Sequence, residues 1–462
     1  MKNLSLIILS LVLVLISCGQ NKTVTKPKET KDNQQMVKLI TVDPGHFHAS
    51  LVQKSAYPQI SSDVYVYAPE GPDVQQHLDR INAYNKRATD PTKWNEIVYK
   101  GADYFEKMLA DKPGNVVVLS GNNKKKAEYI TKSIDAGLNV LADKPMVIFP
   151  EDFPKLEDAF RVAAEKGIVL YDIMTERFEI ATILQKMLSQ KEEIFGKLQT
   201  GTEKVPAVTM ASVHNFSKIV SGTPVLRPVW FFDVDQQGDG IADVATHLVD
   251  LVQWECFPEQ ILKKEDVNII AARRWPTLLS KADFKGVTGF DDFPAFLSKD
   301  VKDGKLNVFA NGEMVYQIKG TWAKVTVEWN YQAPEGAGDK HYSVMHGTKC
   351  DLDIKQTSNE KYVPTLYVDN LKGISMDQFN AKLKAVLGAL PYDSLAIEKV
   401  NDKTLKINIP KKYRVSHEEH FGQVTMRFLE FLKNGKLPEW EVQGMITKYY
   451  TTTSALKKAK EK

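Results

Sequence analysis

The first part of the chain alternates short, almost wholly apolar runs with longer segments whose apolar residues recur at helical spacing. Val37 to Val42 is a β-rich run closed by Asp43-Pro44-Gly45, and His46 to Ala56 is expected to form a helix behind it. Asp63 to Tyr67 is a second strand, stopped by Pro69-Glu70-Gly71-Pro72; Tyr65 and Tyr67 alternate with valines there and are assigned to packing. Asn115 to Leu119 is a third strand, followed by a helix over Lys124 to Ala136 with Gly137 as its stop. Leu138 to Leu141 is a fourth, Glu151 to Lys166 a helix, and Ile168 to Tyr171 a fifth strand. Strands this apolar are buried on both faces, so the succession indicates a doubly wound parallel sheet.

From about Glu176 the pattern turns to strand alternation. Ala207 to Val213, Val308 to Ala310, Met314 to Lys319 and Val325 to Trp329 read as strands, and Asn311-Gly312 has the composition of a tight hairpin turn between two of them. Further strands are expected at Asp351 to Lys355 and Leu405 to Ile409, and a helix over His417 to Lys433. The fold class is therefore α/β, with a parallel-sheet domain at 37–175 and an α+β domain with a largely antiparallel sheet at 176–462. A chain of 462 residues exceeds what one hydrophobic core usually serves, which supports the division.

The N-terminus has a separate character. Lys2 precedes an almost unbroken apolar run from Leu4 to Ile16, and Ser17 precedes Cys18. This layout resembles the bacterial lipoprotein signal, in which the cysteine is lipidated and becomes the mature N-terminus. The apolar run is shorter than the ~20 residues a spanning helix needs. Residues 1–18 are read as that signal, and 19–36, polar and without periodicity, as a flexible tether. The expectation is an exported periplasmic or cell-envelope lipoprotein that meets the membrane through Cys18 alone.

A net charge of only +3, with Lys124-Lys125-Lys126 as the one tight basic triplet of the folded part, argues against nucleic acid as a partner. The triplet itself is read as a solvated helix face. Cys256 and Cys350 have no close spacing, so a bridge and two buried thiols both stay open.

Candidate chemistry begins at the first strand-to-helix turn. A dinucleotide-binding fold carries Gly-x-Gly-x-x-Gly there, and Asp43-Pro44-Gly45-His46-Phe47-His48 keeps only the central glycine. The same window has a rival reading, because His-x-His after a first strand is how many metal-dependent hydrolases present two imidazoles; Asp43, His46 and His48 are the candidate ligands. Downstream, a strand, a turn bearing Asn122 and Asn123, a helix ending Ala136-Gly137, and a strand closed by Asp143-Lys144-Pro145 follow one another from Val117 to Met146. A glycine-rich turn at Gly238 to Gly240 then precedes Asp243, His247 and Asp250, whose spacings of four and three place them on one helix face.

These two windows resemble the Gfo/Idh/MocA oxidoreductase family, in which a strand closed by Glu-Lys-Pro is followed later by Asp-x-Gly-x-His-x-x-Asp. Asp143 stands here for the family's Glu, Asn122 for its Pro and Lys126 for its His. The resemblance covers Val37 to about Arg177 and the helix from Asp243 to Trp254 well, and the rest in outline. It implies a Rossmann domain that binds NAD, and a sheet domain that closes over a sugar or polyol. By it, Gly45, His46, Phe47, His48, Glu70, Asn123 and Lys144 border the cofactor. Lys144 would orient and polarise the reacting hydroxyl, His247 would act as general base, and Asp243 would hold the substrate or set the imidazole.

Those roles also have a physical basis. A hydroxyl that loses a hydride from its carbon must lose its proton in concert, which suits an imidazole, and an ammonium stabilises the developing alkoxide. Trp230 and Asp250 are added as substrate-binding candidates, Trp230 as a stacking surface for a sugar ring. Acids at Glu70 and Asp73, without Arg or Lys in Ala68 to Asp73, favour NAD over NADP. His417-Glu418-Glu419-His420 lacks the His-Glu-x-x-His spacing and is read as a solvated helix start.

The expected activity is NAD-dependent oxidation of a sugar, polyol or glycoside hydroxyl. Free NAD is scarce outside the cytoplasm, so a hydride borrowed and returned in one turnover, as in glycoside cleavage or epimerisation, is an alternative. Two further alternatives are the metal-dependent hydrolase and a non-catalytic carbohydrate-binding protein. The expected partner is a small carbohydrate, with a homo-oligomer through the sheet domain left open.

Overall fold

The computed structural model describes residues 36–461 apart from 221–222, 336 and 374; the signal, Cys18 and nearly all of the tether lie outside the described residues. Six strands form the first sheet: β1 (Leu39–Val42), β2 (Asp63–Ala68), β3 (Asn95–Lys100), β4 (Val116–Leu119), β5 (Asn139–Asp143) and β6 (Leu170–Ile173). All pair in parallel, in the order β3-β2-β1-β4-β5-β6. Every residue of β1, β4 and β6 is buried, as expected for central strands covered on both faces. The strand order reverses between β1 and β4, and in such sheets the crevice beyond the carboxyl ends at that switch point is where ligands bind.

Helices α1 (His48–Leu51), α2 (Pro72–Lys86), α3 (Tyr104–Asp111), α4 (Lys126–Asp135) and α5 (Phe153–Lys166) alternate with these strands. Helix α5 shows why its segment is helical: Phe153, Leu156, Ala159, Phe160 and Ala163 recur on one buried stripe, and Gly167 ends it at φ 65°. The helix expected over His46 to Ala56 shrinks to the four residues of α1. Trp94 Nε1 donates to the Gln53 carbonyl at 2.6 Å and Arg87 Nη2 to the Lys54 carbonyl at 2.8 Å, so side chains take the acceptors that another turn would need. Strand β3 and helix α2 carry no apolar run that announces them; Ile97 and Val98 of β3 are exposed at the sheet edge.

After α6 (Ile180–Ser189) the chain enters the second sheet with β7 (Val208–Ser217), followed by a two-residue ribbon of β8 (Ile219–Val220) and β9 (Thr223–Pro224). Helix α7 (Ala245–Cys256) leads to β10 (Val267–Leu279), and α8 (Lys281–Thr288) to the short β11 (Val301–Lys302). Then come β12 (Lys305–Ile318), β13 (Thr321–Gln332), β14 (Lys340–His346), β15 (Asp351–Lys355), β16 (Thr365–Asp369), helix α9 (Met376–Gly388), β17 (Ala396–Asn401) and β18 (Thr404–Asn408). The sheet runs β10-β12-β13-β7-β14-β15-β16-β18-β17, antiparallel except for the β13–β7 pair.

The Asn311-Gly312 hairpin is overturned, since both residues lie inside the unbroken β12. Asn311 sits at a register shift, where its amide donates to Trp275 O and Thr277 Oγ1 and accepts from Trp329 N. A Cβ on Gly312 would stand 2.4 Å from Ile241 Cγ1, and one on Gly240 2.0 Å from the Ala310 carbonyl oxygen. Glycine is required there for contact between the sheet and the glycine-rich turn, not for reversal of the chain. The turn between β12 and β13 falls instead at Lys319-Gly320, both at positive φ.

Helices α10 (His417–Asn434) and α11 (Glu439–Lys460) close the chain. Helix α10 starts with a capping box: Ser416 Oγ accepts from Glu419 N and Ser416 N donates to the Glu419 carboxylate. Phe421, Val424, Phe428 and Tyr449 join the hydrophobic core of the first sheet, although they follow the whole second sheet in sequence. Cys256 and Cys350 are free thiols. Among the described residues, no helix is long and apolar enough to cross a membrane.

Candidate active site

A cavity of about 510 Å³ lies at the carboxyl end of the first sheet, walled on its other side by the second. The β1–α1 turn contributes His46, Phe47 and His48, the end of β5 Lys144, the glycine-rich turn Asp243, and α7 His247. Strand β7 contributes His214, and α10 contributes His417 and His420; with His341, seven of the chain's nine histidines line this one cavity. The expectation of a solvated helix start fails for His420, which is buried, and holds only in part for His417, whose side chain lines the cavity but is 39% exposed.

Lys144 and Asp243 meet directly, with Lys144 Nζ 2.5 Å from Asp243 Oδ1. The second carboxylate oxygen accepts from Gln237 Nε2 at 3.0 Å. Both Asp243 oxygens are thus engaged, which makes this residue a holder of the Lys144 ammonium. His247 comes from α7, and its buried Nδ1 has no hydrogen-bond partner among the described residues. Burial, and then the Lys144 charge, push its imidazole well below the usual histidine range, so it is neutral at pH 7.

His46 and His48 are likewise held neutral, first by burial. His48 Nδ1 lies 2.8 Å from Asp143 Oδ2, and His46 Nδ1 3.8 Å from the same oxygen. Asp43, the third residue of the proposed ligand set, is not with them. Its carboxyl interacts with Tyr104 and Tyr129 and is raised to about 6, first by burial and then by Asp73. Asp143 occupies the place given to Asp43, and nothing in its neighbourhood in the sequence announced that.

Several other expected site residues stand elsewhere. Asn123 bridges to the glycine-rich turn, its amide donating to Gln237 O at 2.6 Å and its backbone N to Gln236 O. Asp250 does not line the cavity. It is buried and holds Arg177 through two bonds of 2.6 and 2.7 Å and Lys448 Nζ at 2.8 Å. Burial alone would raise this carboxyl, and the two cations more than offset it, holding it well below the usual range. Lys126, assigned to a solvated face, is 2% exposed and donates from Nζ to the Asp143 carbonyl at 2.9 Å. Burial lowers its ammonium to about 8.

Gly45, Glu70 and Trp230 belong to the neighbourhood of a second cavity, of about 310 Å³, beyond the end of β2. Glu70 lines it, and so does Trp230, whose indole donates to Asp73 Oδ2 at 2.8 Å. A Cβ on Gly45 would lie 3.0 Å from both that oxygen and the Trp230 ring. Trp230 therefore covers the first turn and is not a wall of the large cavity, where Phe231 stands in its stead. Arg227 lines both cavities, donating to Phe216 O at 2.7 Å and Asn215 O at 3.0 Å. Sequence patterns gave no sign of it, since it lies in an irregular segment between β9 and α7.

A parallel six-stranded sheet in this order, followed by a mostly antiparallel sheet, is the architecture of Gfo/Idh/MocA oxidoreductases. The chain belongs to the family described as "Putative oxidoreductase C terminal domain", matched over residues 184–460. A solved structure of a "putative oxidoreductase" from Parabacteroides merdae is 55% identical, covers 92% of this chain and 98% of its own, and superposes with a TM-score of 0.90. A levoglucosan dehydrogenase in complex with NADH and levoglucosan is 12% identical with a TM-score of 0.58, covering 92% of this chain and 98% of its own, and shows the fold alone. An uncharacterized oxidoreductase of Schizosaccharomyces pombe is 22% identical over 250 residues, which are 53% of this chain and 62% of that protein. The match thus spans about three fifths of that relative's length.

Proposed function

We propose that the protein is an NAD-dependent oxidoreductase acting on a hydroxyl of a sugar, polyol or glycoside. The observation that carries this reading is the convergence of Lys144 and His247 on one cavity from separate layers of the fold. The dehydrogenase of the same fold is a complex with NADH and a sugar, which supports it.

The residues fit the two ends of a dinucleotide. Glu70 follows β2, where an acid reads ribose hydroxyls, and Lys144 stands at the end of β5 in the large cavity. Arg227, the one cation lining the smaller cavity among the described residues, is occupied by backbone carbonyls, in keeping with NAD over NADP. Between the two ends, Trp230 and Asp73 cover Gly45, so this pair has to part for a dinucleotide to cross the turn.

Bound there, the nicotinamide supplies the hydride acceptor. The neutral His247 imidazole takes the hydroxyl proton, and the Lys144 ammonium, fixed by Asp243, stabilises the oxygen as its negative charge grows. Aromatic residues Phe47, Phe231 and Trp329 wall the cavity and limit its water. Accumulation of reduced cofactor distinguishes net oxidation from chemistry that returns the hydride.

Denaturing the purified protein and assaying the supernatant for NAD(H), with titration of the folded protein by NAD and NADP, tests the proposal. Release or binding of NAD, tighter than NADP, is expected. Neither release nor binding at millimolar NAD overturns it. Lipid anchoring through Cys18 is proposed on the N-terminal sequence, and Cys18→Ser should move the protein from membranes to the soluble fraction.

A further inference from the structure

We propose that His46, His48 and Asp143 form a site for one divalent transition-metal ion, at the wall of the large cavity and with coordination positions left open toward it. The site stands apart from the nicotinamide reading and does not rest on it.

Three donors of the required kinds converge. Their ligand atoms all lie within 4.8 Å of one another. An ion bound at about 2.0–2.2 Å to imidazole nitrogen and carboxylate oxygen places neighbouring donors roughly 3.0–3.5 Å apart. The His48–Asp143 separation of 2.8 Å is that of a hydrogen bond, whose proton a bound ion would replace, and the His46–Asp143 separation of 3.8 Å lies just beyond the range. Two imidazoles and one carboxylate suit Zn²⁺, Fe²⁺ or Co²⁺ and leave room for water or substrate oxygen.

The surroundings hold these groups as a metal site requires. Ser120 Oγ donates to Asp143 Oδ2 at 3.2 Å and holds the carboxylate, while Lys126 Nζ donates to the Asp143 backbone carbonyl at 2.9 Å and fixes the main chain that carries it. Phe47 lies against both rings, with centroids at 4.5 Å from His46 and 4.4 Å from His48, and Phe421 lies 4.6 Å from His48. His46 Nδ1 accepts only a long 3.4 Å contact from His48 N, which a metal bond would replace. The nearby Lys144 charge is offset by Asp243. His417, its ring 5.8 Å from His48, stands on the cavity side as a further imidazole.

The test strips the full folded chain with a chelator and titrates it with Co²⁺, reading the d–d absorption band, with elemental analysis of protein purified without added metal. One equivalent is expected for the wild type. His46→Gln, at the partly exposed ligand, should bind about 100-fold more weakly or worse, a loss at the upper end of what outer-shell changes alone produce. His420→Gln, also at the cavity but outside the triad, should keep the wild-type affinity, and circular dichroism of each variant establishes its folding. No binding by the wild type at 100-fold excess Co²⁺, or unchanged binding by His46→Gln, overturns the site. NAD(H) release and NAD binding by the same preparation are read separately, so a protein that binds Co²⁺ but neither releases nor binds NAD loses the nicotinamide reading alone, and one that carries dinucleotide but binds no Co²⁺ loses this site alone.

Discussion

His247 and Asp250 lie three residues apart on α7, and their surroundings differ in what they supply. Asp250 meets two cations, Arg177 and Lys448, which in turn meet Glu441 and Asp172; Tyr449 completes the group through its hydroxyl on Asp172. Every charge there has partners at hydrogen-bond distance. This cluster joins β6, α7 and α11 and ties the last helix to the first sheet. His247 instead keeps a ring nitrogen without a hydrogen-bond partner among the described residues, beside a lysine that already has its own carboxylate. Full satisfaction marks a group fixed for architecture, while a polar atom left without a protein partner at a cavity marks one kept for a ligand. Spacing on a helix cannot tell these apart, because the deciding partners come from elsewhere in the chain.

The comparison breaks most severely at the cavity. His247→Ala and Lys144→Ala should each lower turnover about 10²–10⁴-fold, the usual contribution of a positioned acid–base group. The melting temperature of His247→Ala should shift by only a few degrees, whereas Lys144→Ala also leaves the buried Asp243 carboxylate with only Gln237 as a partner and should melt lower, so its turnover is read per folded molecule. Steady-state rates beside thermal unfolding curves check this. Near-wild-type turnover in either variant removes that residue from the machinery.

At the architectural end the effects exchange places. Asp250→Ala leaves the Arg177 and Lys448 charges partly uncompensated in a buried site, which costs about 3–5 kcal/mol. Its urea midpoint should fall strongly, while turnover per folded molecule at low temperature stays near that of the wild type. A stable but inactive Asp250→Ala would return this carboxylate to the substrate side.

What could be read in advance follows the same division. The central strands were legible because Leu39–Val42 and Val116–Leu119 are apolar throughout, and Gly137 and Gly167 mark helix ends by local chemistry. Lys144, Asp243 and His247 were legible as motif residues, and the structure brings Lys144 into contact with Asp243 and all three to one cavity. Asp143 in the histidine cluster, Arg177 in the ion network and His417 at the cavity were not, since each acquires its role from chain far away. Asn311-Gly312 misled for a related reason: its turn-like composition serves a close approach by Ile241 and Gly240. Edge strand β3 went unseen because half-exposed residues such as Ile97 and Val98 leave no apolar signal.

A smaller effect sharpens the contrast through pH. His420 is 6% exposed, and burial, opposed in part by Glu419, lowers its imidazole from the ordinary 6.5 to about 4. Above pH 6.5 neither folded nor unfolded chain is protonated there, so this residue adds no pH dependence. As pH falls below 6.5 the unfolded chain takes up a proton that the folded chain refuses, and stability is lost progressively until about pH 4. At pH 5 the loss amounts to about 2 kcal/mol, at 1.36 kcal/mol per pH unit over that interval. His420→Gln removes the titration, so whatever stability difference separates it from the wild type at pH 7.5 should move by about that amount in the variant's favour at pH 5. Urea unfolding of both proteins at the two pH values measures it. The Asp250 cluster stays silent in this window: its carboxylate, held well below the usual range, is charged in folded and unfolded chains alike at pH 5, and Asp250→Ala should show no comparable change in its deficit between pH 7.5 and 5. A gap between wild type and His420→Gln that does not change with pH would mean that His420 is solvated in the folded protein, and that α10 does not carry it into the cavity.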